Sequence, residues 1–584
     1  MEGLEVTVLL GLAVLTGTLL APRLRLATPL VLVVIGLLLG FVPELREIEL
    51  PPETMLLLFL PVMLFWESFT TSLRSVKRAL RYIVPMSTLL VVASAFAVAG
   101  IATAMGVPWE AALILGAAVA PPDATAVAAL GRLLPQRTFM KLKAESLTND
   151  GTALVVYAIA VSLAVGGDVT PWTITGTVVL SYLGGAVAGI GIAAVAWLAL
   201  RRMRATLAIN VTLLLVPFLA FLVAELIHGS GVLAVVFAGL IVAWLAPRIT
   251  TAQSRQQAQA AWPFGVFLLN GALFVLIGLE VQNVVHEIPG RQIGWLLLVS
   301  VAAWAALGVV RYLFQLLMAP FSRPSPEHLA NTTRQSRNRG RIVSTVAGFR
   351  GAVSLAIALS VPMTTDAGTD LPGRDAIVFV TAGVIVLTLL VQGPLLPAVI
   401  KWAKLPNDDT EREEFELAQR TISGAALAAL DDLATEHGIS DEVRDQARRE
   451  GYDRLELANA RALARQRSAI DDEIDDLETV LSGPDATSPT SGAIATVSDD
   501  GEAGEVRPVA LQMLATSDDI DMTQRSPLIR FEEANRLKLA LLDRKREVLL
   551  RLRREGAIDD LVSRRVQHGL DAEELRLADA RELG

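Results

Sequence analysis

Apolar residues in this chain come in runs of about twenty, one after another, from near the N-terminus to Ala403. A helix needs roughly that many to cross a ~30 Å hydrocarbon layer. Backbone inside such a layer must satisfy its own polar groups, so only helices and closed barrels can span it. Thirteen runs are centred near 6–21, 27–42, 53–67, 82–105, 108–131, 138–165, 171–200, 205–227, 231–247, 262–282, 292–318, 341–362 and 376–403. With 53% hydrophobic and 19% charged side chains and a mean hydropathy of +0.50, the 584 residues are too poor in charge for a string of soluble domains. The expected fold is an all-α polytopic membrane protein of about thirteen transmembrane helices embedded in a lipid bilayer. Its first run has acidic Glu2 and Glu5 in place of a basic start, so it is expected to remain as a span and not to be cleaved as a signal peptide.

The charges divide the chain in two. Residues 1–404 carry 27 Lys and Arg against 19 Asp and Glu, and 405–584 carry 24 against 41. Within the first part, loops after odd-numbered spans hold the basic residues: Arg23 and Arg25; Arg74, Lys77, Arg78 and Arg81; Arg132, Arg137, Lys141 and Lys143; Arg201, Arg202 and Arg204; Arg248 and Arg255; and a last group running from Arg323 to Arg341. Loops after even-numbered spans hold only Arg46, Arg291 and Arg374. The positive-inside rule then puts the N-terminus outside and the tail in the cytoplasm, with the plasma membrane (a bacterial inner membrane) as the expected location. The tail, 405–584, shows helical periodicity over 410–435, 440–480 and 526–556, separated by a Ser-, Thr-, Gly- and Asp-rich stretch at 482–525 that reads as a flexible linker. It reads as a solvated appendage, or as a module that binds an unknown regulator.

Several chemistries are excluded. There is no cysteine, hence no disulfide framework, thiolate metal site or cysteine nucleophile. Neither a phosphate-binding GxxxxGK[ST] loop nor HExxH occurs, which argues against nucleotide-driven pumping. No enzyme activity, cofactor or nucleic-acid partner is expected.

Ionisable residues inside spans are costly, so they mark candidate function. They are Glu67, Asp123, Glu145, Asp150, Glu225, Glu280, Arg311 and Arg350. In span 5, Ala120-Pro121-Pro122-Asp123 places two prolines mid-span. These remove two backbone donors and free the carbonyls of about Ala117 and Ala118. Such an unwound point belongs beside a protein-lined cavity, where carbonyls, that of Pro122 included, can face a cation while Asp123 starts the next half-helix. Fifteen residues from Pro108, Asp123 lies roughly 22 Å in. In span 6, Asp150 falls at a similar depth, with Ser146 one turn below on the same face and Asn149 beside it. Burial favours the protonated carboxyl and a bound cation the ionised one, so proton and cation can compete for Asp150. Glu145 points about 140° away from it. In span 12, Gly348-Phe349-Arg350-Gly351 places an arginine that needs a buried anion, and Glu145 is the expected partner. Spans 5 and 12 are interrupted and seven apart, so they run antiparallel, as in an inverted-repeat transporter with a midplane site. Glu225 and Glu280 read as interfacial, and Gly185 and Gly189 as a helix-packing GxxxG pair.

The segments APPDATAV, ESLTNDGTALVVY and GFRGAVSLAIALSVP, with LLNGALFVLIGLE in span 10, resemble the electroneutral branch of the monovalent cation:proton antiporters, the NhaP and sodium/proton exchanger type. The resemblance covers roughly 5–403. It implies that Asp150 binds the ion or the proton, that Asn149 is its paired amide, that Asp123 is the acid of the unwound helix, and that Glu145 and Arg350 form a structural ion pair. It also implies a homodimer. The chain departs from the family twice: Pro122 stands where Thr is frequent, and Trp66 shifts Glu67 by one position, 100° around a helix. Glu67 is therefore a candidate ion-binding residue one position out of the family's register. The expected activity is exchange of Na⁺ (with Li⁺ and K⁺ as further candidates) for H⁺, one for one, serving cytoplasmic pH and cation homeostasis. The alternatives are a K⁺/H⁺ antiporter, a gated monovalent cation channel, or an inert transporter fold used as a sensor.

Overall fold

The computed structural model describes residues 2–24, 26–42, 55–123, 134–167, 170–319, 334–365, 368–405, 410–481 and 527–582. These form helices and no β-strand; an isolated antiparallel bridge joins Thr364 and Asp370. The first helices are α1 (Glu2–Leu24), α2 (Thr28–Leu39) and α3 (Leu60–Phe69), the last entered through a π turn at Met55–Phe59. Next come α4 (Leu73–Ser87), α5 (Leu89–Ala104), α6 (Trp109–Val119) and α7 (Gln136–Val165). They are followed by α8 (Pro171–Leu200), α9 (Thr206–Leu226), α10 (Gly231–Ile249), α11 (Ala252–Glu287) and α12 (Gly290–Leu317). A broken pair, α13 (Arg334–Val346) and α14 (Ala352–Leu359), precedes α15 (Arg374–Leu387) and α16 (Gly393–Ala403), which are joined by a second π turn at Thr388–Gln392. The tail contributes α17 (Thr410–Ala428), α18 (Leu430–Glu436), α19 (Asp441–Leu481), α20 (Pro527–Glu555) and α21 (Asp560–Glu582). Among the described residues, nine helices are long and apolar enough to cross a membrane, and three shorter apolar helices accompany them.

The outward faces of these helices are apolar. Leu183, Val187, Leu207 and Val309 are all more than half exposed, which is the surface a lipid-facing helix presents and a water-facing one does not. Inside, two hydrophobic clusters form. The larger joins α1, α2, α6, α12 and α15 through residues such as Leu32, Ile114, Val299 and Ile377. The other joins α3 (Leu60, Leu64, Phe65) to α8, α9 and α10. Gly185 and Gly189 let α8 lie against α10: a methyl at Gly189 would fall 2.4 Å from the carbonyl oxygen of Ala234.

Several helix starts differ from the sequence reading, those of α7 (with Lys141 and Lys143) and α13 (with Arg337 and Arg339) among them. Arg74, Lys77, Arg78 and Arg81, expected in a loop, lie on α4, where their i, i+3, i+4, i+7 spacing forms one polar face. Ser72 caps this helix by accepting from the N–H of Ser75. Arg255 likewise sits in the first turns of α11 and not in a loop. Basic residues count toward the loop in a hydropathy reading even when the helix runs on past the bilayer.

By packing, the described residues divide into one unit of residues 1–411 with 559–572, and a second of 412–558 with 573–584. The sequence boundary at 404 separates the same two compositions, yet Asp559–Ala572 packs with the first unit. The stretch 482–525, read as a linker, lies outside the described residues. The second unit has its own core, in which Leu430, Ala434, Val443 and Leu537 meet.

Candidate functional site

The two interrupted segments cross. α6 ends at Val119, and Pro121, Pro122 and Asp123 run on without helical hydrogen bonds. α13 ends at Val346, and residues 348–351 lie outside any helix, Gly351 extended, before α14 begins. Where they meet, the N–H of Asp123 donates to the carbonyl of Phe349 (2.8 Å). Gly351 makes the approach possible: a Cβ there would fall 1.5 Å from an Asp123 carboxylate oxygen. Asp123 is thereby set at the N-terminal end of α14, where the helix dipole favours a negative charge. The half-helix expected to begin at Asp123 lies outside the described residues.

Arg350 is buried at this crossing and has a different task from the one its sequence suggested. Its Nε donates to Val119 O (2.8 Å), its Nη2 to Ala120 O (3.2 Å), and its Nη1 to Gly348 O. Its own N–H donates to Thr388 Oγ1 (3.3 Å) in the π turn. Arg350 thus takes up carbonyls at the end of α6, one of the ways a broken helix is tolerated in a membrane. These carbonyls are Val119 and Ala120, two residues beyond those that the prolines were expected to free.

The expected Glu145–Arg350 pair is not formed. Glu145, 1% exposed, is gripped by Arg311 of α12, with Nη1–Oε1 at 2.6 Å and Nη2–Oε2 at 3.1 Å. The Nε of Arg311 donates to Ser344 O (3.0 Å) on α13. This fork ties α7, α12 and α13 together. Arg311 was visible in the sequence as a mid-span cation. Two arginines competed for one anion, and the glycines beside Arg350 marked a broken backbone and not a salt bridge.

Asn149, one turn on from Glu145 along α7, faces the crossing. Asn149 is fully buried; its Nδ2 donates to Pro122 O (2.7 Å), while its Oδ1 has no partner. The Pro122 carbonyl, expected to face a cation, therefore already accepts one hydrogen bond and keeps a second lone pair. Asp150 is 6% exposed and Ser146 5%. Among the described residues Asp150 has no hydrogen bond and no ion pair, and the charges that act on it are those of Asp123 and Glu67, both of its own sign. Glu67 lies in the last turn of α3, and the charges of Asp123 and Lys143 act on it. Trp66, the residue that shifts Glu67 in register, stacks on Trp262 of α11 (5.7 Å between centroids, 6° between planes). Glu225 is exposed and Glu280 half-buried. The structure thus gathers Asp123, Asn149, Asp150 and Glu67 around one broken crossing, with carboxylates outnumbering cations. Buried acids so placed have their charge offset by a proton or a cation; among the described residues no three acidic or histidine side chains form a metal-ion cluster.

The transmembrane sodium/hydrogen exchanger family profile matches residues 10–402. The chain belongs to the sodium/hydrogen exchanger family. As a member it is a multi-pass monovalent cation:proton antiporter. It is 37% identical over 581 residues to an uncharacterised Na⁺/H⁺ exchanger of Mycobacterium tuberculosis, covering 99% of this chain and 96% of that one, so the match continues through the tail. It is 30% identical over 391 residues to a sodium, potassium, lithium and rubidium/H⁺ antiporter of Bacillus subtilis, covering 63% of this chain and 57% of the relative. In fold it is similar to the sodium proton antiporter MjNhaP1 of Methanocaldococcus jannaschii, with a TM-score of 0.54, 17% identity, and coverage of 70% of this chain and 100% of that one.

Proposed function

We propose that this exchanger moves Na⁺ against H⁺ one for one across the bacterial plasma membrane, as a homodimer with its tail in the cytoplasm, and that Asp150 is the carboxylate for which the two ions compete. It works as a transporter with no resident cofactor and no enzymatic step. The observation that carries the reading is that Asp150 is buried and, among the described residues, has neither an ion pair nor a hydrogen bond. A buried carboxylate in that state must take up a proton or a metal cation. Asp123, Ser146, the Pro122 carbonyl and Glu67 are the further candidate ligands, and Asn149 contributes a neutral amide, so one ion's worth of positive charge is carried in either loaded state. Alternating access follows if α4–α7 and α12–α16, which hold the crossing, rock as a bundle against the other spans.

K⁺/H⁺ exchange is the second reading, favoured by the likeness to the B. subtilis relative, whose name includes potassium. Dequenching of a pH dye in everted vesicles, with Na⁺, Li⁺ and K⁺ added in turn, separates the two. Clamping proteoliposome voltage with K⁺ and valinomycin tests the stoichiometry, provided K⁺ proves not to be a substrate. One-for-one exchange should be nearly insensitive, because a net charge per cycle would add about 2.3 kcal/mol per 100 mV. A steady current under a sodium gradient would overturn the one-for-one reading. Uphill Na⁺ accumulation driven by an imposed pH gradient excludes a channel.

A further inference from the structure

The segment Asp559–Ala572 is separated from the last membrane helix by some 150 residues of tail, yet it packs with the membrane unit. It is built into that unit and not laid upon it. Asp560, Ser563, Gln567 and Asp571 are each 6% exposed or less, as are Val562, Val566 and Leu570. The polar four recur at helical spacing along α21, so they form one stripe.

The start of this segment, through Asp559, Asp560 and Arg564, meets the link Thr70–Ser72, which joins α3 to α4. Arg564 donates through Nη1 to Phe69 O and through Nη2 to Thr70 O (2.9 Å), taking the last carbonyls of α3. On the other side of the link, Asp559 accepts from Ser72 Oγ (3.0 Å) and Ser75 Oγ (2.8 Å). Asp560 accepts from the N–H of Arg74 (3.1 Å) and from Ser72 Oγ (3.2 Å). A guanidinium thus sits at a helix C-terminus and two carboxylates at a helix N-terminus, each with the sign the backbone dipole favours. A third attachment is bidentate: Arg255 of α11 holds Asp571 at 2.7 Å (Nε) and 2.6 Å (Nη2). Gln567 Nε2 steadies the same carboxylate (2.9 Å).

The link is a joint between two packed groups. α3 buries Leu60, Leu64 and Phe65 against α8, α9 and α10. α4 buries Val76 and Ile83 with Ala144 of α7. Lys143 of α7 also reaches across, its Nζ bonding Thr70 Oγ1 (2.7 Å). Alternating access requires relative movement between α3 and the bundle that contains α4 and α7.

We propose that Asp559–Ala572 is a strap that holds this joint and brakes ion exchange, and that turnover requires its attachments to loosen. The inference rests on the rocking-bundle reading given above. The attachments through Arg564, Asp559 and Asp560 hold the α3–α4 corner, one turn from Glu67, and that through Asp571 anchors the segment to α11. Arg564 is a positioning residue here and touches no transported ion.

The test uses the full chain in proteoliposomes. Arg564→Gln removes the charge and loses at least one of the two carbonyl bonds, so it should raise the maximal exchange rate per folded protein at least roughly tenfold, the factor for one charge-assisted hydrogen bond, and Arg564→Lys should restore most of the brake. Because the chain has no cysteine of its own, Ser75→Cys with Asp559→Cys can be joined by a short bifunctional thiol reagent with a reducible linker. Exchange should then stop, and return on reduction. Should Arg564→Gln fail to fold, Asp571→Asn frees the Arg255 end and should accelerate exchange in the same sense. An unchanged or slower rate in the loosened variants, or full-rate exchange in the cross-linked protein, overturns the strap. If the parent protein moves neither Na⁺ nor K⁺ against H⁺, the antiport reading itself fails, and the two failures stay distinct.

Discussion

Glu145 and Asp150 stand five residues apart on α7, 1% and 6% exposed, and are otherwise treated in opposite ways. Glu145 is held in a two-point fork by Arg311, which is itself 3% exposed. Asp150 has no fork, and its charged neighbours Asp123 and Glu67 repel it. What the pair teaches is that burial alone does not decide whether an acid is structural. A carboxylate with a protein counter-charge is already neutralised and has no reason to take an ion. One without it must find its counter-charge in solution, and in a transporter that is the substrate.

The contrast breaks most sharply at Asp150. Asp150→Asn keeps the shape, removes the charge, and should reduce cation-dependent proton flux to that of empty vesicles while expression and thermal stability stay at the parent level. Residual exchange in Asp150→Asn would transfer the binding role to Asp123 and erase the distinction between the two acids.

At Glu145 the expected effect is on stability. Removing either partner leaves an unpaired buried charge, at a cost of about 3–5 kcal/mol, so Glu145→Ala and Arg311→Ala should both lower the melting temperature in detergent severely. The charge reversal Glu145→Arg with Arg311→Glu should recover part of the loss. The same reversal attempted with Arg350 should not, because Arg350 bonds carbonyls. Single variants that are stable but inactive would make the pair part of the transport chemistry.

The order and type of the elements were legible because twenty-residue apolar runs leave a chain few options. The break at Pro121-Pro122 was legible because proline lacks the donor that a helix requires. The partner of Glu145 was not. Arg311 and Arg350 are both mid-span, and choosing between them needs the crossing of α6 with the segment before α14, a contact between residues more than 200 apart in sequence. Nor was the strap legible: Asp559–Ala572 carries the same mixture of charge and leucine as the rest of the tail, and only packing shows which of its acids are buried. Periodicity marked 526–556 as helical but passed over α21, whose buried face is largely polar (Asp560, Ser563, Gln567, Asp571).

Arg350 supplies a third case, a buried cation satisfied by dipoles in place of a carboxylate. Arg350→Gln should leave Val119 O or Ala120 O without its donor, costing about 1–3 kcal/mol, less than the loss of Arg311. Its effect should instead show in the apparent KM for the cation, since the chain it ties down leads directly to Asp123. A melting temperature that falls as far as in Arg311→Ala would mean that Arg350 carries a true ion pair after all.

The smallest effect is expected in the tail, where Glu573 repeats the circumstance of Glu145 close to water. Burial pushes its carboxyl up, but Lys545, Arg454 and Arg576 together hold it below the ordinary glutamate value. Arg454 lies at 3.1 Å and Lys545 at 3.8 Å. Because the folded-state value lies below the unfolded one, the stabilisation is complete above the unfolded value near 4.5 and is lost as the pH falls through the folded one. The side chain of Glu573 is 26% exposed and that of Arg454 58%, so solvent screening should keep the contribution below about 1 kcal/mol. Amide exchange along α20, measured in the full-length protein and corrected for intrinsic rates, should show protection declining below pH 4.5, and Glu573→Gln should flatten that decline. If the variant keeps the same slope, the acid-sensitive contact lies elsewhere in the tail, and a partly wet fork does not behave as a weakened copy of the dry one.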